Sequence, residues 1–349
     1  MFLAWKEIVF HKGRYVLVGS MVCLMAFMVF FLSSLSGGLA RLNRLAIEEW
    51  EAKSVVLSDY ANENFLASTM NRIDMESYVT NPDRALVGQM TSVAEKDGLD
   101  KKVNSQVFGV DFKGFLSPKI VAGRLPKSSK EIVADRSIEK KGIQLGDAIK
   151  LNGQGTYQVV GLTENQIFFT QPVLFMSLED QSQLRGQDVV SALVLREDAV
   201  IKADGLKQIS PQIVIKTIPG YQAQSLTFSF MIGAMVLVTV LVLGIFMYIL
   251  VLQNMSLYGI MRAQGIGSGI IVRSVFGQIA ILVAMGLLSA LGLLLAVEQV
   301  LPDAMPFYSD WGSYGKLSGL MFILSLSGGL LSLRRILRID PLKAIGGDA

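Results

Sequence analysis

The chain has 349 residues, 51% hydrophobic and 17% charged, with a formal net charge of +3. Soluble domains carry about 25% charged residues, so the composition argues against an ordinary water-soluble fold, and the small basic surplus argues against a nucleic-acid partner. One cysteine (Cys23) and one histidine (His11) leave no basis for a disulfide framework or a clustered metal site.

In chain order, "WKEIVFHKGRY" at residues 5–15 predicts an amphipathic N-terminal helix within residues 1–13 lying along the inner leaflet, with His11 at its surface. Tyr15 to Ala40 is free of Asp, Glu, Lys and Arg. A bilayer core about 30 Å thick takes about 20 helical residues, so residues 14–40 are expected to form the first transmembrane helix. Its apolar run is too long for a signal peptide, and "SSLSGG" leads straight into "LARLNRLAIEEW", which continues the helical pattern as a stalk over Leu39 to Glu51.

Residues 41–220 form the only segment large enough for a water-soluble core. "SVVLSD", "SQVFGVDF", "AIKLNGQGTYQVVGLTE" and "SALVLRE" read as strands, with "NGQG" as a hairpin turn. "SLEDQSQLRG" and "DGLKQIS" read as short helices. The fold class is therefore a membrane α-helical protein with four transmembrane helices and an inserted extracytoplasmic α+β domain.

Charge-free runs from Thr217 to Met261, Ser274 to Val297 and Leu317 to Leu333 supply the other spans. They are expected at 225–253, 271–297 and 317–337. Between them lie a segment at 254–270 and a loop at 298–316, and a tail follows at 338–349. Lys6, Lys12 and Arg14, then Arg262 and Arg273, then Arg334, Arg335, Arg338 and Lys343 flank one side of the spans. Basic residues near span ends mark the cytoplasmic side. Both termini and residues 254–270 are thus expected in the cytoplasm of a multi-pass protein of the cell (plasma or inner) membrane, with 41–220 and 298–316 outside.

No GxxxxGK[ST], GxSxG, HExxH or paired-cysteine motif is present. No charged residue lies deep in a span, which leaves an intramembrane ion relay little to work with. A non-catalytic membrane protein with a structured cytoplasmic turn is expected to be driven by a separate engine. "LYGIMRAQ", stopped by Gly265 and Gly267, is a short amphipathic helix suited to a partner's grip.

The segment "LYGIMRAQGIGSGIIVRSVFGQIAIL" resembles the coupling segment of the MacB/FtsX-type ABC transporter permeases, with Gly259, Ile260, Arg262, Ala263 and Gly265 matching and Leu257 standing where a Glu is usual. "LRRILRIDPLKAIGGD" resembles that family's closing signature, at Arg334, Arg335, Asp340, Pro341, Leu342 and Ala344. Gly123-Arg124, Glu131–Val133 and Leu145–Asp147 resemble elements of its outer domain, and the N-terminal region is similar to the DevC/HrtB-like branch. The resemblance implies a homodimer with two ABC ATPase subunits that bind the ATP, no cofactor of the chain's own, and haem as cargo expelled from the membrane. The ATPase-coupling residues are then Tyr258, Gly259, Met261, Arg262 and Gly265.

Haem needs an apolar slot and an axial ligand such as Met, Tyr or a carboxylate. Candidates are Met25 and Met28 in the first span, Met231 and Met235 in the second, Tyr221 just outside it and Glu48 on the stalk. Each Met also serves as ordinary helix packing. Two other readings stay open: another amphipathic cargo (glycolipid, peptide or drug), and an FtsX-like mechanical transmitter that controls a cell-wall hydrolase.

Overall fold

The computed structural model describes residues 7, 9–10, 12–99, 101–302 and 305–328. His11 and most of the expected N-terminal helix, the end of the fourth expected span and the tail lie outside the described residues. The chain divides into two compact units: Met1–Gly38 with Leu226–Ala349, and Leu39–Ser225.

Helix α1 runs without interruption over Lys12–Glu48, 37 residues. At 1.5 Å per residue it is about 55 Å long, well beyond a hydrocarbon core of about 30 Å. Its apolar part contains no proline, and its last ten residues belong to the inserted domain.

That domain is built mainly of strands. In order they are β1 (Ser54–Ser58), β2 (Met70–Asn71), β3 (Arg84–Glu95), β4 (Val103–Val110), β5 (Ile120–Gly123), β6 (Glu131–Asp135), β7 (Ala148–Leu151), β8 (Gln154–Thr163), β9 (Ile167–Phe168), β10 (Gln171–Ser177), β11 (Val189–Val190), β12 (Ala192–Leu195) and β13 (Leu206–Ile209). Short helices α2 (Arg72–Glu76), α3 (Leu178–Arg185) and α4 (Pro211–Lys216) interrupt them. The side chains of Asn71 and Ser177 cap α2 and α3 by accepting from Ile73 N–H and Asp180 N–H, 3.0 Å each.

The main sheet has the order β13-β1-β12-β3-β4-β10-β6-β8-β5, and β7 pairs with both β3 and β8. Strands β3, β4, β10, β6, β8 and β7 therefore close into a small barrel, which removes their free edges. Strand alternation sorts the side chains. Val107, Ile132, Ala134, Leu174 and Met176 fall in one core with Ile149 and Val159, while Phe108, Val133, Val173 and Phe175 fall in another.

The second core receives the end of α1. Ala46, Ile47 and Trp50 pack there with Phe65, Phe108, Phe168 and Phe175. The ring of Trp50 stands edge-on to Phe65 at 5.5 Å and tilted to Phe108 at 6.0 Å. Val214, Ile215 and Ile218, which lead out of the domain, enter the same core. Backbone bonds reinforce the grip: Phe169 N–H and Thr170 N–H donate to Asn43 O (3.3 Å) and Leu42 O (3.1 Å) of α1, and Arg196 Nε donates to Trp50 O at 2.9 Å.

The segment 204–210, expected as a helix, forms strand β13 instead. Leu206–Ile209 pair antiparallel with β1, and Ile209 is buried in the second core, so sheet pairing overrides local propensity. The turn at Asn152 and Gly153 joins β7 to β8 with both residues at positive φ, as a tight hairpin requires. The Gly-Arg and Glu-Ile-Val elements meet in a clasp. Arg124 NH1 and NH2 donate to the Glu131 carboxylate at 2.7 and 2.6 Å, and Lys127 N–H donates to it at 2.7 Å.

The helical unit continues with α5 (Tyr221–Gln253), α6 (Met255–Ala263), α7 (Ser268–Glu298) and α8 (Trp311–Gly328). Among the described residues three helices, α1, α5 and α7, are long and apolar enough to cross a membrane. At the place of the fourth expected span lies α8, which begins six residues earlier than Leu317 and is not among those three helices; residues 329–337 lie outside the described residues. Helix α5 begins at Tyr221 and α7 at Ser268, both a few residues earlier than expected. Val22, Val29 and Phe30 of α1 pack with Leu243 of α5, Leu282 and Leu287 of α7 and Tyr314 of α8 in one apolar core. The loop after α7 lies tightly against α1, because a Cβ on Gly38 would stand 2.1 Å from Pro306 O.

Two outcomes test this packing. Trp50→Ala removes a buried indole and should destabilise the inserted domain by about 3–5 kcal/mol. The readout is the urea midpoint for proteolysis of that domain in the detergent-solubilised chain, and an unmoved midpoint contradicts the anchor. The Arg124 guanidinium and the backbone N–H groups hold the Glu131 carboxyl well below the usual carboxylate range. A depressed native pKa gives stability that is complete above the unfolded value of about 4.3 and is lost as pH falls through the native value. Glu131→Gln should therefore lower the melting temperature more at pH 7 than at pH 3, and an equal gap at both would be the wrong result.

Candidate coupling and cargo sites

Helix α6 is a separate element between two long helices. Gln253 ends α5, and Asn254 turns the chain with its carbonyl accepting from Tyr258 N–H at 3.0 Å. At the other end Ile266 N–H donates to Met261 O and Gly265 N–H to Arg262 O, both at 3.0 Å, with Gly265 at φ +86°. This is a Schellman stop, and its partly buried Met261 and Ile266 supply the apolar contact that accompanies it. Glycine is required at 265 because side chains other than Gly and Asn strain in that region.

The helix has two faces. Tyr258, 1% exposed, and Gly259 point inward, with Met255, Met261 and Ile266 half-buried against the helical core. Leu257 (47% exposed), Ile260 (45%), Ser256, Ala263 and Gln264 point outward. Of the five residues expected to contact an ATPase, Tyr258 and Gly259 are thus turned into the protein, Met261 and Arg262 are half-buried, and Gly265 is exposed. An apolar Leu257–Ile260 pair, one turn apart, takes the outer position.

Polar groups gather behind the inner face. Tyr15 Oη–H donates to Gln278 Oε1 at 3.0 Å, Gln278 Nε2 donates to the Glu7 carboxylate, and Arg14 NH1 donates to Gln253 Oε1 at 2.7 Å. Burial pushes the Tyr258 phenol up, and the nearby Glu7 charge adds to it; burial also raises the Glu7 carboxyl. Sequence reasoning gave no role to Glu7, Tyr15, Gln253 or Gln278. The available signal was Gln278, an amide set inside a charge-free apolar run, and the Gln253-Asn254 pair that closes another.

The six cargo candidates divide between the units. Met25 is half-buried beside Thr239, Leu243 and Phe246 of α5, and Met235 packs inward. Met28 and Met231 are exposed on α1 and α5. Glu48, exposed, pairs with Arg44 at 3.1 Å. Tyr221 is half-buried against the aromatic core of the inserted domain.

A set of apolar helices, a short helix at one turn and a strand-rich insertion define a membrane protein with an inserted domain. Residues 229–341 match the FtsX-like permease C-terminal family. The whole chain is 26% identical over 353 residues to a protein provisionally named as the HrtB permease of a hemin transport system in Staphylococcus haemolyticus, with 99% of each chain covered. Its counterpart in Staphylococcus epidermidis is 27% identical over 356 residues, again with 99% of each covered. An uncharacterized ABC transporter permease of Mycobacterium tuberculosis is 22% identical over 360 residues, with the same coverage. Among solved structures, the extracellular domain of the ABC-type transporter YknZ from Gram-positive bacteria aligns with a TM-score of 0.33 and 12% identity, covering 43% of this chain and 84% of that one. The chain thus carries an FtsX-like permease domain over residues 229–341, is similar along its whole length to ABC transporter permeases that include the HrtB type, and is with its apolar helices a protein of the cell membrane. In such a transporter the permease is the non-catalytic subunit, and ATP hydrolysis belongs to a partner.

The inward position of Tyr258 gives a direct test. Tyr258→Ala should open a cavity costing about 3–5 kcal/mol and speed amide exchange across residues 255–263, while Tyr258→Phe should keep most of the protection. Equal exchange in wild type and Tyr258→Ala would show that the ring does not fix the helix.

Proposed function

We propose that this chain is the membrane subunit of an ATP-driven exporter that expels haem from the membrane, working as a homodimer with two ATPase subunits and with both termini in the cytoplasm. The observation that carries this reading is end-to-end similarity, at 99% coverage of both chains, to permeases provisionally named for hemin transport. Similarity along the whole length includes the inserted domain as well as the family's common C-terminal helices.

The ATPase grips α6 on its outward face. Leu257 takes the place of a usual acidic residue, so the contact is apolar burial rather than an ion pair. Closure of the ATPases on ATP pushes α6, and Tyr258 passes that push to the helices packed around it. Helices α1 and α5 carry the motion outward, and α1 delivers it through Trp50 to the inserted domain. Haem lies at the exposed faces of α1 and α5, where Met28 and Met231 offer weak axial ligands suited to release.

Co-expression with the ATPase of a haem-sensitive host should restore growth on haem, and the purified complex should show a Soret band that Met28→Ala or Met231→Ala shifts. Leu257→Glu with Ile260→Glu should abolish both ATPase co-purification and haem resistance while leaving the chain folded. A complex that hydrolyses ATP but neither binds haem nor protects against it would redirect the reading to another amphipathic cargo.

A further inference from the structure

Helices α5 and α8 touch at one end and part at the other. A Cβ on Gly244 would stand 3.5 Å from Gly328 O, and one on Gly328 would stand 3.2 Å from the Val240 side chain. At Gly233, nearer the start of α5, a Cβ would meet no atom within 4 Å. The two helices therefore diverge toward their N-terminal ends and leave a groove of about 480 Å³ between them. Ser229, Gly233 and Leu237 of α5 and Leu317, Leu320 and Leu324 of α8 line it, and among the described residues Ser229 is its one polar side chain. The groove runs along α5, which is apolar enough to cross a membrane, so it faces hydrocarbon rather than water.

Its dimensions and chemistry select the occupant. From Ser229 to Val240 is about 16 Å of helix, which gives the groove a mean cross-section of about 30 Å². An α-helix about 10 Å across needs about 80 Å², so a helix of a second copy does not enter, whereas one extended hydrocarbon chain does. Haem would find no Met, Tyr, His, Cys or carboxylate on the walls to hold its iron. The open end has the chemistry of a headgroup region. Lys316, exposed, lies four residues before Leu320 on the face of α8 that lines the groove. Asp310, which feels the Lys316 charge, is already engaged by Ser313 Oγ at 2.6 Å and Gly312 N–H at 3.0 Å. Trp311, 61% exposed, begins α8 just over a turn before Lys316, as aromatic side chains do at a membrane–water interface.

We propose that this groove holds one acyl chain of a membrane phospholipid, with the headgroup phosphate beside Lys316. The chain fills the space that opens between α5 and α8 beyond their contact at Gly244 and Gly328, and so fixes the angle between the two helices. The lipid is then a bound component of the helical unit, at a site whose walls include neither Met28 nor Met231.

The test places the full chain in nanodiscs of phosphatidylcholine containing phosphatidylglycerol with a diazirine in one acyl chain. After illumination the label on residues 229–240 and 317–324 should exceed that on Leu288, an apolar side chain exposed on α7. Gly233→Leu, which has room for its side chain, should remove that excess and leave the label at Leu288 unchanged. Lys316→Gln should lower the groove label about fivefold, the worth of one cation near a lipid headgroup. Haemin, added as a separate arm, should leave the label in place. The inference is overturned if Leu288 is labelled as strongly as the groove, if Gly233→Leu or Lys316→Gln leaves the pattern unaltered, if haemin clears the label, or if residues 229–240 cross-link to a second copy of the chain instead of lipid.

Discussion

The structure depends on one helix being continuous across two environments. Helix α1 is about 55 Å long, so a membrane of about 30 Å leaves nearly half of it to reach beyond the lipid. That end is fixed by burial. Trp50 and four phenylalanines interlock, and the backbone of Phe169 and Thr170 bonds to α1 carbonyls. Thr170 is held at φ +60°, a conformation uncommon for a β-branched residue, so the surrounding structure over-determines that contact. The segment leading into α5 enters the same aromatic core, and both long helices are therefore tied to one set of side chains.

The short helix α6 is specified from both sides. Its inner face is locked by Tyr258 and by a Schellman stop at Gly265, and its outer face is an apolar pair free of such ties. A rigid inner attachment and an open outer face are what a force-receiving element requires. Polar groups behind it, from Glu7 through Gln278 to Tyr15, are satisfied by one another, as groups away from water must be. They link the N-terminal end of α1 to α7 at the level of α6.

The inserted domain shows how signature elements can be structural. Gly123-Arg124 and Glu131 form a clasp across the strand ends, and Asp147 pairs with Lys96 at 2.6 Å while accepting from Gln144 N–H at 2.7 Å. These residues hold the rim of a closed barrel. Strand β3 changes partner along its length: β12 pairs with Arg84 to Val87, and β4 pairs from Gly88 onward.

The sequence by itself determined the elements that follow from composition and local period. Charge-free runs marked α1, α5 and α7, short β-branched or alternating runs marked β1, β4, β7, β8 and β12, and glycines marked the end of α6. It also placed Leu257 where a charge is usual. Contacts distant in sequence were decided only in three dimensions. "DGLKQIS" carries a weak local pattern, and pairing with β1 made it a strand. Tyr258 reads as one polar aromatic in an amphipathic helix, and only its burial in the apolar core of the helical unit turned it inward. Trp50 follows two glutamates and gives no sign of burial, since the phenylalanines that enclose it lie from 15 to 125 residues further along the chain. Barrel closure through β7 likewise requires pairing across more than 50 residues, a non-local constraint that hydrophobic period does not encode.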